Sequence, residues 1–274
     1  MATGTPATQA LATPIRFRRN VSRLTTGQLT TLRAAFQAVY GLSDDRGYAR
    51  WAGIHGLPLP IGCRNAHGTP YFLPWHRAYL YFFERALRDR EPRAMVAWWD
   101  WRTPAGREGR IPRAFADEEV EGDPNPLFSA RVSDRALEEG RRRGVEVAEN
   151  TERSPSFRDS FPLPTREQVD ALIEEPDFGT FSDQLDTIHG GIHMWVGGHM
   201  TEIDFAAFDP IFWAHHAMVD RIWRLWQTRH GRRGPPRSIY GDALPPFRMT
   251  VRQTLSVTAL GYDYASASSA AQAS

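Results

Sequence analysis

Residues 189–220 read HGGIHMWVGGHMTEIDFAAFDPIFWAHHAMVD. His189 and His193 are four residues apart in this segment. That spacing is about one turn of a helix, so both imidazole rings can face the same point in space. A third imidazole, from His215 or His216, follows on a second predicted helix. The spacing is typical of a metal site.

A second group of histidines lies at residues 55–84. His55, His67 and His76 lie ahead of, or at the start of, an apolar helical pattern. The chain has nine histidines, so two sets of three take up most of them. Division into two sets indicates a catalyst of oxidation that uses a pair of metal ions.

Composition limits the classes of protein to consider. With 274 residues and 41% apolar content, we predict one domain at residues 16–264 between disordered tails at 1–15 and 265–274. The 33 basic and 32 acidic residues nearly cancel, and no basic stripe is interleaved with aromatic residues, so no nucleic-acid partner is expected. No window approaches the roughly 20 consecutive apolar residues of a membrane span, so no membrane partner is expected either.

The predicted location is the cytoplasm. Residues 1–20 lack the apolar core of a signal peptide. The single cysteine, Cys63, excludes an internal disulfide and is compatible with a reducing compartment.

Apolar periodicity predicts a mainly α-helical chain. Capping-box patterns precede two apolar helical repeats, at Thr25/Gln28 and at Thr165/Gln168. Further helices are predicted at 45–55, from about Trp75 to Glu91, from about Ser182, and from Asp209-Pro210 to about Gly231. The stretch from about residue 105 to Pro164 is predicted to be irregular with short strands.

The ligand types decide between metals. A zinc protease has Glu directly after the first histidine of its pair, where this chain has Gly190. A carboxylate-bridged di-iron bundle needs Glu-x-x-His motifs on facing helices, which the sequence lacks. Sites of imidazole ligands with open positions suit copper. Asp220 and Glu84 are the carboxylates expected to orient the rings.

Two long runs resemble the copper signatures of tyrosinases and related type 3 copper proteins of the bacterial type. They are HGTPYFLPWHRAYLYFFE at residues 67–84 and DPIFWAHHAMVD at residues 209–220. Both runs match through their full length, and the resemblance extends from about Arg16 to Tyr264. Patterns of this length are far more specific than a single His-x-x-x-His.

The resemblance implies a four-helix bundle around a dinuclear copper site, with long loops and a few short strands. O2 is the implied co-substrate, and phenols or catechols are oxidised to o-quinones. Bacterial members often use a separate helper protein for copper delivery or export. The implied ligands are His55, His67 and His76 for the first copper and His189, His193 and His216 for the second, with His215 as a buried neighbour.

At some positions this chain has a different residue from the family members that hydroxylate monophenols well. Those members have Asn after the first histidine of the second copper, paired with an acid that holds a water, whereas this chain has Gly190. Asp186 is the nearest acid and the candidate for the water-holding role, with a solvated surface Asp as the alternative. Met194 and Ile203 are predicted apolar walls of the substrate pocket.

These features predict an enzyme for small phenolic or aminophenolic substrates. It is expected to oxidise o-diphenols or o-aminophenols readily and to hydroxylate monophenols poorly. The alternative is a full tyrosinase with strong monophenolase activity, and a haemocyanin-like oxygen carrier is a third hypothesis. Ten residues follow the Tyr262-Asp263-Tyr264 motif, so no shielding domain and no proteolytic latency are expected.

Cys63 raises a separate question. Some members crosslink a cysteine to the second histidine of the first copper through a thioether. In fungal forms one residue separates the two, whereas three separate Cys63 from His67 here. We therefore expect a small loop thiol without a crosslink. His199 and His230 are given no ligand role. His199 is interpreted as a residue at the mouth of the site, and His230 as a charge partner of a helix C-terminus.

Overall fold

The computed structural model describes residues 14–59, 63–104, 109–231 and 233–266. Its helices are α1 (Thr26–Tyr40), α2 (Tyr48–His55), α3 (Phe72–Arg88), α4 (Arg113–Ala116), α5 (Asp134–Arg142), α6 (Arg166–Ile173), α7 (Phe178–Val196), α8 (Ile211–Arg229) and α9 (Val251–Thr254). Its strands are β1 (Arg16–Arg18), β2 (Glu119–Val120), β3 (Asp123–Pro124) and β4 (Tyr262–Tyr264). The described part is mainly helical, as predicted. The predicted tails at 1–15 and 265–274 lie almost wholly outside it.

A bundle of α2, α3, α7 and α8 forms the centre of the fold. Helix α3 packs against α7 and α8, and α1 packs against α2 and α3. Aromatic rings fill the space between the helices, where Trp213 of α8 stacks on Phe83 of α3 and Tyr48 of α2 accepts a hydrogen bond from the Trp213 indole. Among the described residues, no helix has the length and apolar character to cross a membrane.

The predicted helix starts are correct where a capping box marks them. Thr25 with Gln28 caps α1, and Thr165 with Gln168 caps α6, each through reciprocal side-chain and backbone hydrogen bonds. Three other starts are wrong by three or four residues, because α2 begins at Tyr48, α3 at Phe72 and α7 at Phe178. For α7 the cap is Asp177, whose side chain accepts from the Thr180 N–H, one turn before the predicted start.

The stretch from residue 105 to Pro164, predicted to be irregular with short strands, contains two helices, the four-residue α4 and the longer α5. Ser133 caps α5 by accepting from the Ala136 N–H. The buried face of α5 is narrow and consists of Ala136, Leu137 and Gly140. Gly140 packs closely on the Phe205 ring, since a Cβ at this position would lie 2.5 Å from it. A buried helix usually shows a broader apolar stripe. The charged residues that dominate α5 therefore hide it from a search by periodicity.

A two-stranded strap, β1 with β4 in parallel, lies beside the bundle and is joined to it by buried charges. Arg18 of the strap is fully buried and donates to Glu84 at 2.8 Å and to Asp220 at 3.2 Å. Burial disfavours the charged form of Asp220, but the neighbouring guanidinium groups outweigh it and lower the pKa of this carboxyl. The other donors to Asp220 are Arg77, Tyr262 and Tyr264.

The prediction that Asp220 and Glu84 orient the imidazole rings is therefore wrong. Glu84 accepts from Arg18 and from the backbone N–H of Val96, and the Asp220 oxygens are taken by arginines and tyrosines. The Nδ1 atom of His216 has no hydrogen-bond partner among the described residues. A buried carboxylate needs an opposite charge, and a guanidinium meets that need better than a neutral imidazole.

Candidate metal centre

The first group of donors is built by α2, α3 and the loop between them. His55 is the last residue of α2, His76 lies in α3, and His67 lies in the connecting loop. Gly56, directly after His55, allows the backbone at Asp204 to pack closely against this end of α2. A Cβ at position 56 would lie 2.3 Å from the carbonyl oxygen of Asp204. The donor atoms of the three histidines and of Cys63 lie within 4.8 Å of one another.

The second group is built by α7 and α8. It contains His189, His193, His215 and His216, whose donor atoms also lie within 4.8 Å of one another. The Nε2 atom of His189 is 3.0 Å from that of His193 and 3.2 Å from that of His216. The resemblance implied His216 as the ligand and His215 as a buried neighbour. Here the structure brings both into the group, with His216 at the nitrogen cluster and His215 stacked on the His189 ring.

Two pairs of stacked histidine rings lie where the two groups meet. The rings of His76 and His216 are 4.5 Å apart at an interplanar angle of 13°. The rings of His67 and His189 are 5.1 Å apart at 20°. Each pair takes one ring from each group, so two ions held by these donors would be neighbours in one dinuclear centre.

Backbone carbonyls orient three of the rings. The Nδ1 atoms of His55, His76 and His193 lie 3.0, 2.8 and 2.8 Å from the carbonyl oxygens of Ile203, Phe72 and Met200. A ring that donates its Nδ1 proton to a carbonyl carries its lone pair on Nε2. In each case Nε2 is the atom that faces the other donors, which is the tautomer that a metal requires.

Asp186 orients a fourth ring. Its Oδ1 atom accepts from His67 Nδ1 at 2.7 Å, and its Oδ2 atom accepts from the Gly68 N–H at 2.9 Å. Burial disfavours the charged carboxyl, but the nearby Nδ1 of His189 at 3.3 Å and the hydrogen bond from His67 outweigh that cost and hold the pKa of Asp186 far below its usual range. These contacts favour an orienting role. The water-holding role stays a prediction, since no contact here tests it.

The chemistry of the donor set fits copper. Burial, with the proximity of other imidazoles, lowers the pKa of His55, His76, His193 and His216 well below the ordinary value. The rings are therefore neutral, as ligands must be. The Nε2 atom of His189 lies within 3.2 Å of the Nε2 atoms of His193 and His216, and both nitrogens of His215 have no hydrogen-bond partner among the described residues. Neutral nitrogens this close are costly to bury unless a cation occupies the centre. Imidazole donors suit copper.

Cys63 contradicts the expectation of an ordinary loop thiol. It is fully buried, and its Sγ atom lies 2.9, 3.1 and 3.6 Å from the Nε2 atoms of His55, His67 and His76. Burial raises the pKa of the thiol. The sulfur is thus a fourth candidate donor of the first group. The position of Cys63 four residues before His67 was the one feature of the sequence that indicated this proximity. The loop conformation that turns the thiol towards the histidines could not be predicted from the sequence.

Of the two predicted pocket residues, Met194 directly follows His193 of the second group, and the carbonyl of Ile203 lies 3.0 Å from Nδ1 of His55 in the first group. Met194 and Ile203 are half-buried, and a Cβ at Gly190 would meet nothing within 4 Å. This leaves open space beside the His189 turn of α7. His199 lies apart from both groups, because its ring nitrogens bond to the Glu152 N–H and the Ala148 carbonyl.

Comparison with known proteins gives matches across the whole centre. The family described as "Common central domain of tyrosinase" matches residues 45–229. Hemocyanin G-type, units Oda to Odg, of Enteroctopus dofleini is 31% identical over 259 residues, which are 89% of this chain and 8% of that protein. Grixazone synthase of Streptomyces griseus is 28% identical over 225 residues, covering 64% of this chain and 70% of that protein.

The fold is also found among solved structures. The tyrosinase from Burkholderia thailandensis matches with a TM-score of 0.74 at 22% identity, covering 94% of this chain and 75% of that one. The matched family region contains both histidine groups. The chain spans only 8% of the octopus protein, so the activity of that whole protein does not carry over with the likeness.

Proposed function

Since this chain belongs to the tyrosinase family, whose type 3 centres bind two copper ions with O2, we propose that it is a copper-dependent oxidase of small phenolic substrates. The proposed substrates are o-diphenols or o-aminophenols, converted to o-quinones or quinone imines. The proposed ligands are His55, His67 and His76 for one copper and His189, His193 and His216 for the other.

The observation that carries the proposal is the contact between the two groups. The stacked pairs His76–His216 and His67–His189 place the donor sets side by side, so one substrate can meet both ions at once. Oxidation of an o-diphenol to an o-quinone removes two electrons and two protons. A pair of copper ions supplies the electron exchange with O2 that this reaction needs.

The part of the protein in this chemistry is to hold neutral donors in place and keep water out. The carbonyls of Phe72, Ile203 and Met200 accept the Nδ1 protons of three rings. Burial of the rings, with His55 at 1% and His216 at 1% exposure, removes competing water. These three ligands are therefore oriented before a metal binds, which lowers the reorganisation required on binding.

The lack of a side chain at Gly190 favours o-diphenols over monophenols as substrates. Hydroxylation of a monophenol needs a group that removes the phenol proton, and Gly190 offers no side chain to hold a water. Asp186 is the nearest acid, and its oxygens already accept from His67 and Gly68. A substrate that arrives as a catechol or an o-aminophenol needs no hydroxylation.

We expect kcat/KM for catechol to exceed that for the matching monophenol by about 10²–10⁴-fold, the usual contribution of a positioned base. Oxygen uptake by the copper-loaded protein, with quinone trapped by a nucleophile, measures both rates. Gly190→Asn should raise the monophenol rate selectively, because the added side chain meets nothing within 4 Å of its Cβ. Gly191→Asn is the matched control, since its Cβ is equally free. Equal rates on the two substrates in the parent protein would contradict the proposed selectivity.

Oxygen transport is the second candidate function, because the chain is 31% identical to an octopus haemocyanin. A carrier binds O2 reversibly and releases no oxidised product. The likeness to grixazone synthase over 64% of this chain favours an oxidase, since that relative is named as an enzyme. Reversible O2 binding by the copper-loaded protein, with catechol left unchanged and no quinone formed, would favour the carrier.

A further inference from the structure

His67 is held differently from the other members of the first group. Backbone carbonyls orient His55 and His76, whereas the His67 ring, which lies in a loop, bonds to the side chain of Asp186. The same carboxylate accepts from the N–H of Gly68, so it fixes both the ring and the backbone of this loop. The partner that holds a ligand of the first group thus belongs to α7, the helix that carries the second group.

Asp186 also touches the second group. Its Oδ1 atom, the one that accepts from His67, lies 3.3 Å from Nδ1 of His189. That nitrogen has no closer hydrogen-bond partner among the described residues. The His67 and His189 rings are stacked beside the carboxylate, 5.1 Å apart. One oxygen therefore lies between the outward nitrogens of two rings that face different groups.

We propose that Asp186 is a positioning residue that couples copper binding at the first group to copper binding at the second. The proposal rests on the function proposed above. When copper binds His67 at Nε2, the proton of that ring must lie on Nδ1, where it bonds to Asp186. The carboxylate is then fixed beside His189 and favours a proton on Nδ1 of that ring as well.

This second tautomer is the one that presents His189 Nε2 to the second group. Its Nε2 already lies 3.0 Å from that of His193 and 3.2 Å from that of His216. Occupation of the first group therefore prepares a ligand of the second without any large movement. By linkage, copper at the second group must strengthen binding at the first by the same factor. The expected result is cooperative loading, with a coupling factor of roughly 5–150.

Native mass spectrometry of the metal-free protein, mixed with one equivalent of copper per chain, tests the coupling. The parent protein is expected to show mainly chains with no copper and chains with two. Asp186→Asn is expected to show more chains with one copper than chains with none or with two, because the amide is uncharged and its NH2 group cannot accept from the Gly68 N–H while its oxygen faces the two rings. It should also lower copper affinity by about 10–100-fold, as loss of an orienting partner usually does. Asp186→Glu should restore part of the coupling.

Asp183→Asn is the matched control, because Asp183 is an exposed carboxylate one turn earlier on α7. It should load copper as the parent does. The unfolding midpoint of each metal-free variant separates a coupling defect from a folding defect. A mainly singly loaded parent, or an Asp186→Asn variant that loads like the parent, would overturn the coupling. A parent that binds no copper at all would overturn the proposed function instead.

Discussion

Replacing Asp220 by alanine is expected to lower the free energy of unfolding by about 3–5 kcal/mol, the usual cost of removing one partner from a buried ion pair. Asp220 is 3% exposed and accepts from Arg77 and Arg18. Without it, the fully buried Arg18 would keep Glu84 as its carboxylate partner, and the fully buried Arg77 would have no carboxylate partner among the described residues. The hydroxyl groups of Tyr262 and Tyr264 in the strap would also lose the carboxylate that accepts their hydrogen bonds. Denaturant unfolding of the metal-free protein measures the loss.

Asp263→Ala is the matched control for this prediction. Asp263 forms an ion pair with Arg224 at 2.8 Å, but the two side chains are 19% and 27% exposed. A pair so accessible to water contributes at most about 1 kcal/mol. Equal losses for the two variants would show that the buried network does not fasten the strap as described.

The second large effect is expected from His193→Gln. His193 bonds to the Met200 carbonyl through Nδ1 and faces His189 through Nε2, so its loss removes a proposed ligand of the second copper. The loss of catechol oxidation should exceed the roughly 10–100-fold that removal of an outer partner of a ligand costs. Copper content by atomic absorption, measured with the rate, should fall towards one ion per chain.

His230→Gln is the control for the ligand variant. His230 caps the end of α8, and its Nε2 bonds to the Ile173 carbonyl, away from both groups. Copper content and rate should stay close to those of the parent. If His193→Gln kept both ions and full activity, the assignment of the second group would be wrong.

The histidines themselves were predictable from the sequence. His189 and His193 share one helical turn, and the runs around His76 and His216 are long enough to identify a family. The structure brings all six predicted ligands into two adjacent groups. Predictions from helical spacing and from long signature runs are correct here because both patterns are local. Each depends on one helix with a clear apolar face.

What the sequence did not reveal depends on contacts between distant segments. Asp186 reaches His67 across 119 residues, and Asp220 reaches Arg18 across 202. The choice of partner for each carboxylate was set by which cation or ring the fold places beside it. Cys63 entered the first group through a loop conformation, and loop geometry has no periodic signal.

The central claim is that the two groups hold a copper pair that oxidises o-diphenols. The most direct test is to titrate the metal-free protein with copper while o-quinone formation from catechol is followed. We predict that activity rises with added copper and saturates at two equivalents per chain. Saturation at one equivalent, or O2 uptake without quinone at any copper level, would contradict the account.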